Sequence, residues 1–486
     1  MGQGQFVHSV ASGDPTSDSI VMWTRVTLDD AATPADIPVR WEIRSESPDS
    51  RVASGDAVAS PEHDYTVHVA ADGLDSDTTY RYRFEIDGAK SPLGRFRTLP
   101  VEASTAQLGV VACAKFNAGY FNAYRALAAR DDVNLVICLG DYIYEAANKP
   151  PASQTPGADI GRDFSPLHEC YTLDDYRERY SQYRRDPDAQ AMHEAHAVFA
   201  TIDDHELADN AWSGGAQEHD PTEHGPWSDR AHGALRAWEE WTPTMRRPAT
   251  GTDPIYRRVD VGSLFTLMLL ETRTNRSSPD ESDPDHRTEF GADQLDWMRD
   301  VASTTANPWL FVGVPSTLVP LWDPALDEDA SFALRKLKLV EPKEGTPFHD
   351  LWDSFPGERH ALVSLLRSTH AVPVVLSGDV HVGLESELRE EGELIAHEWT
   401  TPSITSQNLD DKMGWPPRER SPHYEERVQA GLPHIRWCDF DSHGYMLVTV
   451  DRTQASCEWW AVDTVLSPSD TQASMHTTSV RHTPRG

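Results

Sequence analysis

The chain has 486 residues, with 43 Lys+Arg against 78 Asp+Glu and a net charge of −35. At roughly 150 residues per domain this length allows two to four domains, and a field of this sign excludes a nucleic-acid-binding module, which needs a basic surface. No apolar run reaches the about 18 residues of a transmembrane helix, so none is expected.

The opening Met-Gly-Gln-Gly-Gln-Phe-Val-His has neither a basic nor an apolar signal region, so the protein is either cytoplasmic or mature with a signal removed. Residues 1–102 read as all-β. Ser19–Arg25, Val39–Ile43, Tyr65–Val69 and Thr79–Ile86 alternate polar and apolar residues. Turn clusters at Gly13-Asp-Pro15, Asp72-Gly73 and Asp87-Gly88 separate them. Short strands at this spacing predict an immunoglobulin- or fibronectin-like β-sandwich. Its last strand lies near Gly94–Thr98, and Leu99-Pro100 marks its end.

Residues 103–486 read differently, as strands separated by helices. Helices are expected at Phe121–Arg130, Leu173–Tyr183, Leu235–Trp241 and Ala292–Arg299. Tyr176, Tyr180 and Tyr183 form one stripe on the second of these, which reads as packing. Alternating strands and helices predict an α/β domain with a mixed sheet. Insertions at about 145–168 and 213–232 are expected to rim the site, with His168, His219, His224 and His232 as solvated loop residues. The tail after about Ser467 reads as irregular.

Five apolar runs end in chemistry. Gln107–Cys113 ends in a thiol, and Val133–Leu139 leads to Gly140, Asp141 and Tyr144. Ala197–Glu206 ends in Asp203-Asp204-His205-Glu206, and Ser263–Arg273 ends in Glu271 and Arg273. Val372–His381 ends in Gly378-Asp379-Val380-His381. A continuous Val/Ile/Leu run is a strand buried on both faces, and ligands of open α/β sheets gather beyond the carboxyl ends of such strands. Asp141 and Tyr144 make a pair of hard oxygen ligands for a highly charged metal ion. One of Asp203 and Asp204 suits a divalent metal, Asn210 at helical spacing offers a carbonyl, and His205 can act as acid or hydrogen-bond donor. Asp379 and His381, two apart at a strand end, point the same way. Cys113 is either a core cysteine or a thiolate ligand. Arg273 is either an ion-paired surface residue or a cation for an anionic oxygen. The five cysteines cannot all pair with one another, and Cys138 reads as a buried small hydrophobe.

Together these motifs resemble the PhoD-like alkaline phosphatase D family of metallophosphoesterases, which includes the calcium-activated bacterial phospholipase D that lacks the HKD motif. Phe6–Pro15 with Val21–Arg25, Gly119-Tyr120, Leu139–Glu145, Asp203–Glu206 and Leu376–His381 follow the family's order, and Trp399–Thr405 and Gly444-Tyr445 look like its later strands. The chain departs from the family at Ala114, Ile202 and Asp209. The resemblance implies a four-layer αββα sandwich behind the N-terminal β-sandwich, an α/β (α+β) class overall. It implies a trivalent iron on Cys113, Asp141, Tyr144 and His381. One or two calcium ions would lie near Asp141, Asp204, Asn210 and Asp379. His205 would be catalytic; Arg273, at its own strand tip, is the candidate cation read from the residues. The implied reaction is hydrolysis of small-molecule or lipid phosphate esters, mono- or diesters, by a metal-activated hydroxide. A secreted monomer, exported folded by the twin-arginine route, is the accompanying expectation. A non-catalytic calcium-stabilised surface protein is the alternative; it would need neither thiolate nor phenolate. A zinc amide hydrolase would need a His-rich ligand set that is not found.

Overall fold

The computed structural model describes residues 5–28, 35–148, 160–245, 254–278, 281, 283, 286–340 and 351–483. Two large mixed sheets lie face to face. One has nine strands, in the order Gln472–Arg481, Gln454–Val462, Gly444–Asp451, Thr105–Val111, Leu135–Cys138, Ala197–Ala200, Val10–Gly13, Ile20–Arg25 and Thr66–Ala71. The other has seven: Arg257–Val261, Phe265–Leu269, Trp309–Gly313, Val372–Ser377, Glu393–Thr400, Gly383–Glu390 and Ile435–Asp439. Helices cover both outer faces, giving four layers. The layering follows from period-two alternation along each strand. Leu135 and Ile137 face the opposite sheet, while Val136 and Cys138 face the helix Asn122–Ala128 and its neighbours. Leu267 and Leu269 likewise face inward, and Met268 and Leu270 pack beneath Gly291–Thr304 and Pro356–Ser368. Full burial of each such side chain stabilises the fold by about 1.5–3 kcal/mol.

The first hundred residues form a β-sandwich with an unusual join. Ser50–Ala59, Ile37–Ser45, Thr79–Ile86 and Ala89–Lys90 make one sheet, with Gly94–Arg97 paired to Thr79–Ile86. The facing strands Val10–Gly13, Ile20–Arg25 and Thr66–Ala71 belong to the nine-stranded sheet, because Val10–Gly13 pairs in parallel with Ala197–Ala200. One core therefore runs from Val39, Ile43 and Tyr82 through to Phe311 and Trp399.

One expectation needs correction. The tail after Ser467 is not irregular: Gln472–Arg481 is the edge strand of the nine-stranded sheet. Its alternation was hidden because Thr, Ser and His occupy a strand that is mostly exposed or half-buried. Sequence patterning also passed over Ser50–Ala59, another strand with few buried residues. The tyrosine stripe is core, with Tyr176, Tyr180 and Tyr183 at most 1% exposed. No helix among the described residues is long and apolar enough to cross a membrane.

Candidate active site

Four parallel strands of the nine-stranded sheet and four of the seven-stranded sheet set their carboxyl ends at one edge. There Cys113 follows Thr105–Val111, Asp141 follows Leu135–Cys138, Asp204 and His205 follow Ala197–Ala200, and Asp379 and His381 follow Val372–Ser377. The backbone turns abruptly at these points. Cys113, Asp141, Asp379 and His381 have φ of 61°, 53°, 66° and 60°, and Asn210 has 54°. Left-handed non-glycine residues are uncommon, and tertiary structure must hold them there. Gly140, at φ 103°, permits the Asp141 turn, since a Cβ there would lie 2.6 Å from Asp203.

The ligand-bearing atoms converge in two groups. Cys113, Asp141 and His381 place theirs within 4.8 Å of one another, and so do Asp141, Asp204 and His205. Asp141 belongs to both. The Tyr144 hydroxyl donates to Asp141 Oδ2 at 2.8 Å and lies 3.3 Å from His381 Nε2. His381 Nδ1 faces the Gln407 carbonyl at 3.1 Å. As the donor in that bond, Nδ1 leaves the Nε2 lone pair for the site. Asp379 and Asn210 line the same cavity, of about 710 Å³, as do Asp141, Tyr144, Asp204, His205 and His381. Asn210 anchors itself through its own N–H, which donates to Asp204 Oδ2 at 2.7 Å, while its side-chain amide donates to Gln217. Its amide oxygen remains for a ligand.

The electrostatics are those of a centre built around cations. Burial raises the Cys113 thiol well above its usual pKa, and the carboxylates of Asp141, Asp379 and Asp203 raise it further. Burial also raises Tyr144, with Asp141 and Cys113 adding to it. Asp141 is raised by burial and by Asp204, Asp203 and Glu206, against the opposing charge of His205. Each of these groups is held from ionising by burial and by its acidic neighbours, so their charged forms need a strongly charged partner among them. Asp204 Oδ1 is buried without a hydrogen bond. The donor set of thiol, phenol, imidazole and carboxylates fits iron on one side, and carboxylates with an amide oxygen fit calcium on the other.

His205 is held by Glu145, whose Oε2 lies 2.7 Å from Nδ1, and its ring sits 4.0 Å from that of Tyr144. Burial alone would lower the His205 pKa, but Asp204, Glu145 and Asp141 raise it well above 6.5. Burial alone would raise Glu145, but His205, Arg230 and the Asp209 N–H bring it down to about 2. Glu206 is fully buried and accepts from three backbone N–H groups: Asp141 at 3.0 Å, Tyr142 at 2.6 Å and Asp203 at 2.8 Å. It ties two ligand-bearing loops together. The Ser406 hydroxyl donates to the Tyr144 oxygen at 2.6 Å, and Arg179 donates to the Tyr144 carbonyl.

Arg273 does not stand in the cavity as the candidate cation. It is 0% exposed, and its Nε donates to Asp203 Oδ1 at 2.5 Å, with Asp204 4.0 Å away. Burial beneath Asp203 satisfies the guanidinium and keeps it from the cavity lining. Two of the four rim histidines also differ from expectation. His219 lines the cavity, and His224 stacks on Tyr171 at 4.2 Å. Two rim tryptophans are engaged within the protein, Trp227 edge-on to His219 and Trp415 stacked on Tyr424. Part of the first expected insertion, residues 149–159, lies outside the described residues. Glu145 and Glu206 stand inside the motifs read from the sequence, where a carboxylate next to a candidate ligand was the available signal. Ser406 and Gln407 carried no signal, since only the fold brings them to Tyr144 and His381.

Known proteins share this fold. The sequence matches the PhoD-like phosphatase family over residues 108–459, and that family's N-terminal domain over residues 1–100. The chain belongs to the PhoD-like phosphatase family. Alkaline phosphatase D of Bacillus subtilis (strain 168) is 30% identical over 494 residues, spanning 95% of this chain and 78% of that protein. A solved structure described as "Structure of PhoD" superposes with a TM-score of 0.83 at 26% identity, covering 98% of this chain and 90% of that one. Membership supports phosphatase activity and so places the chain among the hydrolases.

Proposed function

We propose that this PhoD-like phosphatase hydrolyses phosphate diesters, in the manner of a phospholipase D, as well as monoesters. A trivalent iron and one or two calcium ions would be its cofactors. The observation that carries the reading is the sharing of Asp141 between two ligand groups, each with its atoms within 4.8 Å. One carboxylate common to two such groups suits a two-metal centre. Cys113, Asp141, Tyr144 and His381 would hold the iron, and Asp141, Asp204, Asn210 and Asp379 the calcium. When bound, these ions supply Lewis acidity, drawing charge from the phosphate and acidifying water.

The chain's own groups do the remaining work. Glu145 takes the Nδ1 side of His205, so Nε2 faces the cavity and can give its proton to the leaving oxygen. Glu206 keeps the Asp141 and Asp203 loops in register. Ser406 and Gln407 orient the Tyr144 oxygen and the His381 ring. The substrate in this reading is a small-molecule or lipid phosphate ester. A secreted monomer is part of the same proposal. All five cysteines are free and buried, which suits a protein that loads a thiolate-held metal before export.

The experiment is hydrolysis of bis(4-nitrophenyl) phosphate and 4-nitrophenyl phosphate by the purified protein, before and after dialysis against a calcium chelator. The reading expects turnover of both, loss on chelation and recovery with added calcium. Turnover of neither ester, or activity indifferent to chelation, contradicts it.

A further inference from the structure

The chain contains seven lysines, and four of them, Lys115, Lys336, Lys338 and Lys412, line the cavity of the candidate active site. In a protein of net charge −35, scattered surface lysines would rarely put even one there. They reach it from separate elements. Lys115 follows the strand Thr105–Val111, Lys336 ends the helix Glu328–Lys336, and Lys412 belongs to the helix Leu409–Met413. Lys338 stands just past the second of these, at φ 66°. Leu337 and Leu339 anchor that segment at 4% and 5% exposure, while Lys336 and Lys338 are exposed on the cavity side.

Lys336, Lys338 and Lys412 make no direct ion pair with a carboxylate among the described residues. Arginines elsewhere in the chain typically do, as Arg177 and Arg418 illustrate. The Lys412 ammonium donates to the Leu337 carbonyl at 3.3 Å, which fixes it against the Lys336–Lys338 segment. Burial, then the charges of Lys338 and Lys115, push Lys412 down to about 8, against the opposing charges of Asp379 and Asp411. Like charges gathered on one wall of a cavity favour an anion there.

We propose that Lys336, Lys338 and Lys412 form a second anion subsite beside the reacting centre. It selects phosphate esters that carry a further anionic group, on the part of the substrate beyond the scissile phosphate. The inference rests on the phosphoesterase reading above and adds a substrate class to it. The subsite supplies the local cations that a strongly negative protein needs to collect such a substrate.

The test compares kcat/KM of the holoenzyme on butyl phosphate, 4-phosphonooxybutanoate and 1,4-butanediol bisphosphate. The enzymes are the wild type, the double variant Lys336→Gln/Lys338→Gln and the single variant Lys412→Gln. The wild type should prefer the two doubly anionic esters by about tenfold, through KM, and the preference should shrink as salt rises to about 0.5 M. The ratio between the carboxylate and the phosphate ester tells which remote anion the subsite takes. The double variant should lose most of the preference. A wild type with no preference overturns the proposal, and so does a double variant that keeps it. If none of the three esters turns over, the hydrolytic reading fails first, and calorimetric affinities of the same esters then judge the lysines. Equal affinity for all three overturns the subsite, and a lysine-dependent advantage of the doubly anionic pair supports it.

Discussion

Replacing Glu145 by glutamine should slow turnover by about ten- to 150-fold without unfolding the protein. Glu145 is 2% exposed, and each carboxylate oxygen has one partner. Oε2 meets His205 Nδ1 at 2.7 Å, and Oε1 accepts from the Asp209 N–H at 2.7 Å. A glutamine has one acceptor oxygen, so it can serve only one of these two donors. If the oxygen stays with Asp209, the amide N–H₂ faces Nδ1 and forces the opposite tautomer of His205. In either orientation the imidazolium loses the negative charge beside it. A buried charge-assisted hydrogen bond contributes about 1.5–3 kcal/mol. At about 1.36 kcal/mol per decade, that is roughly ten- to 150-fold in rate. The assay is kcat at saturating calcium, with metal content and thermal midpoint measured on the same preparation. Glu145→Asp, which keeps the charge with a shorter reach, should fall between wild type and glutamine. A kcat within about twofold of wild type would refute the reasoning, because general acid catalysis usually contributes at least about a hundredfold. A loss fully matched by lost metal would refute it too.

Other predictions concern the frame around the site. Glu206→Gln leaves at least one of three buried N–H donors facing an amide N–H₂, and should destabilise the protein by about 1–3 kcal/mol. Urea denaturation measures this, and an unchanged midpoint would contradict it. His8 is fully buried, 2.8 Å from Ser181 Oγ, and burial with Arg25, Arg185 and Arg184 lowers its pKa to about 2. Below about pH 6.5 the unfolded chain takes up a proton at this histidine and the folded chain does not, so its contribution is complete above that pH and drains away as pH falls. The slope from this one group is about 1.4 kcal/mol per pH unit, and a His8→Gln variant should show a shallower acid limb between pH 6.5 and about pH 4.5. An identical slope in the variant would show that His8 is already charged in the native state.

Much of the architecture was legible because the alternation of strands that face two cores is simple to read. Leu135–Cys138 is apolar at every position and Val372–Ser377 at all but its last, since each is covered on both faces. Among the strands that escaped notice, Ser50–Ala59 and Gln472–Arg481 bury little and carry polar residues. The candidate ligands were legible for a related reason: they sit at strand ends, where apolar runs break off into Cys113, Asp141 and Asp379. Arg273 shared that position, and the sequence left its two readings open. A strand end can hold a buried ion pair as readily as a catalytic cation, and only the 2.5 Å contact with Asp203 tells them apart. Ser406 and the lysines at 336 and 338 could not be placed beforehand. They reach the site from separate segments, and nothing local to them encodes where those segments meet.

The most direct test of the metal centre is the visible absorption spectrum of the purified protein beside that of Tyr144→Phe. The Tyr144 oxygen lies within hydrogen-bonding reach of both Asp141 and His381, so an iron held by those two would also be held by the phenolate. The account predicts a broad visible band from tyrosinate-to-iron charge transfer in the wild type, absent in the variant. A colourless wild-type protein without iron, or a band that survives loss of the phenol, would contradict it.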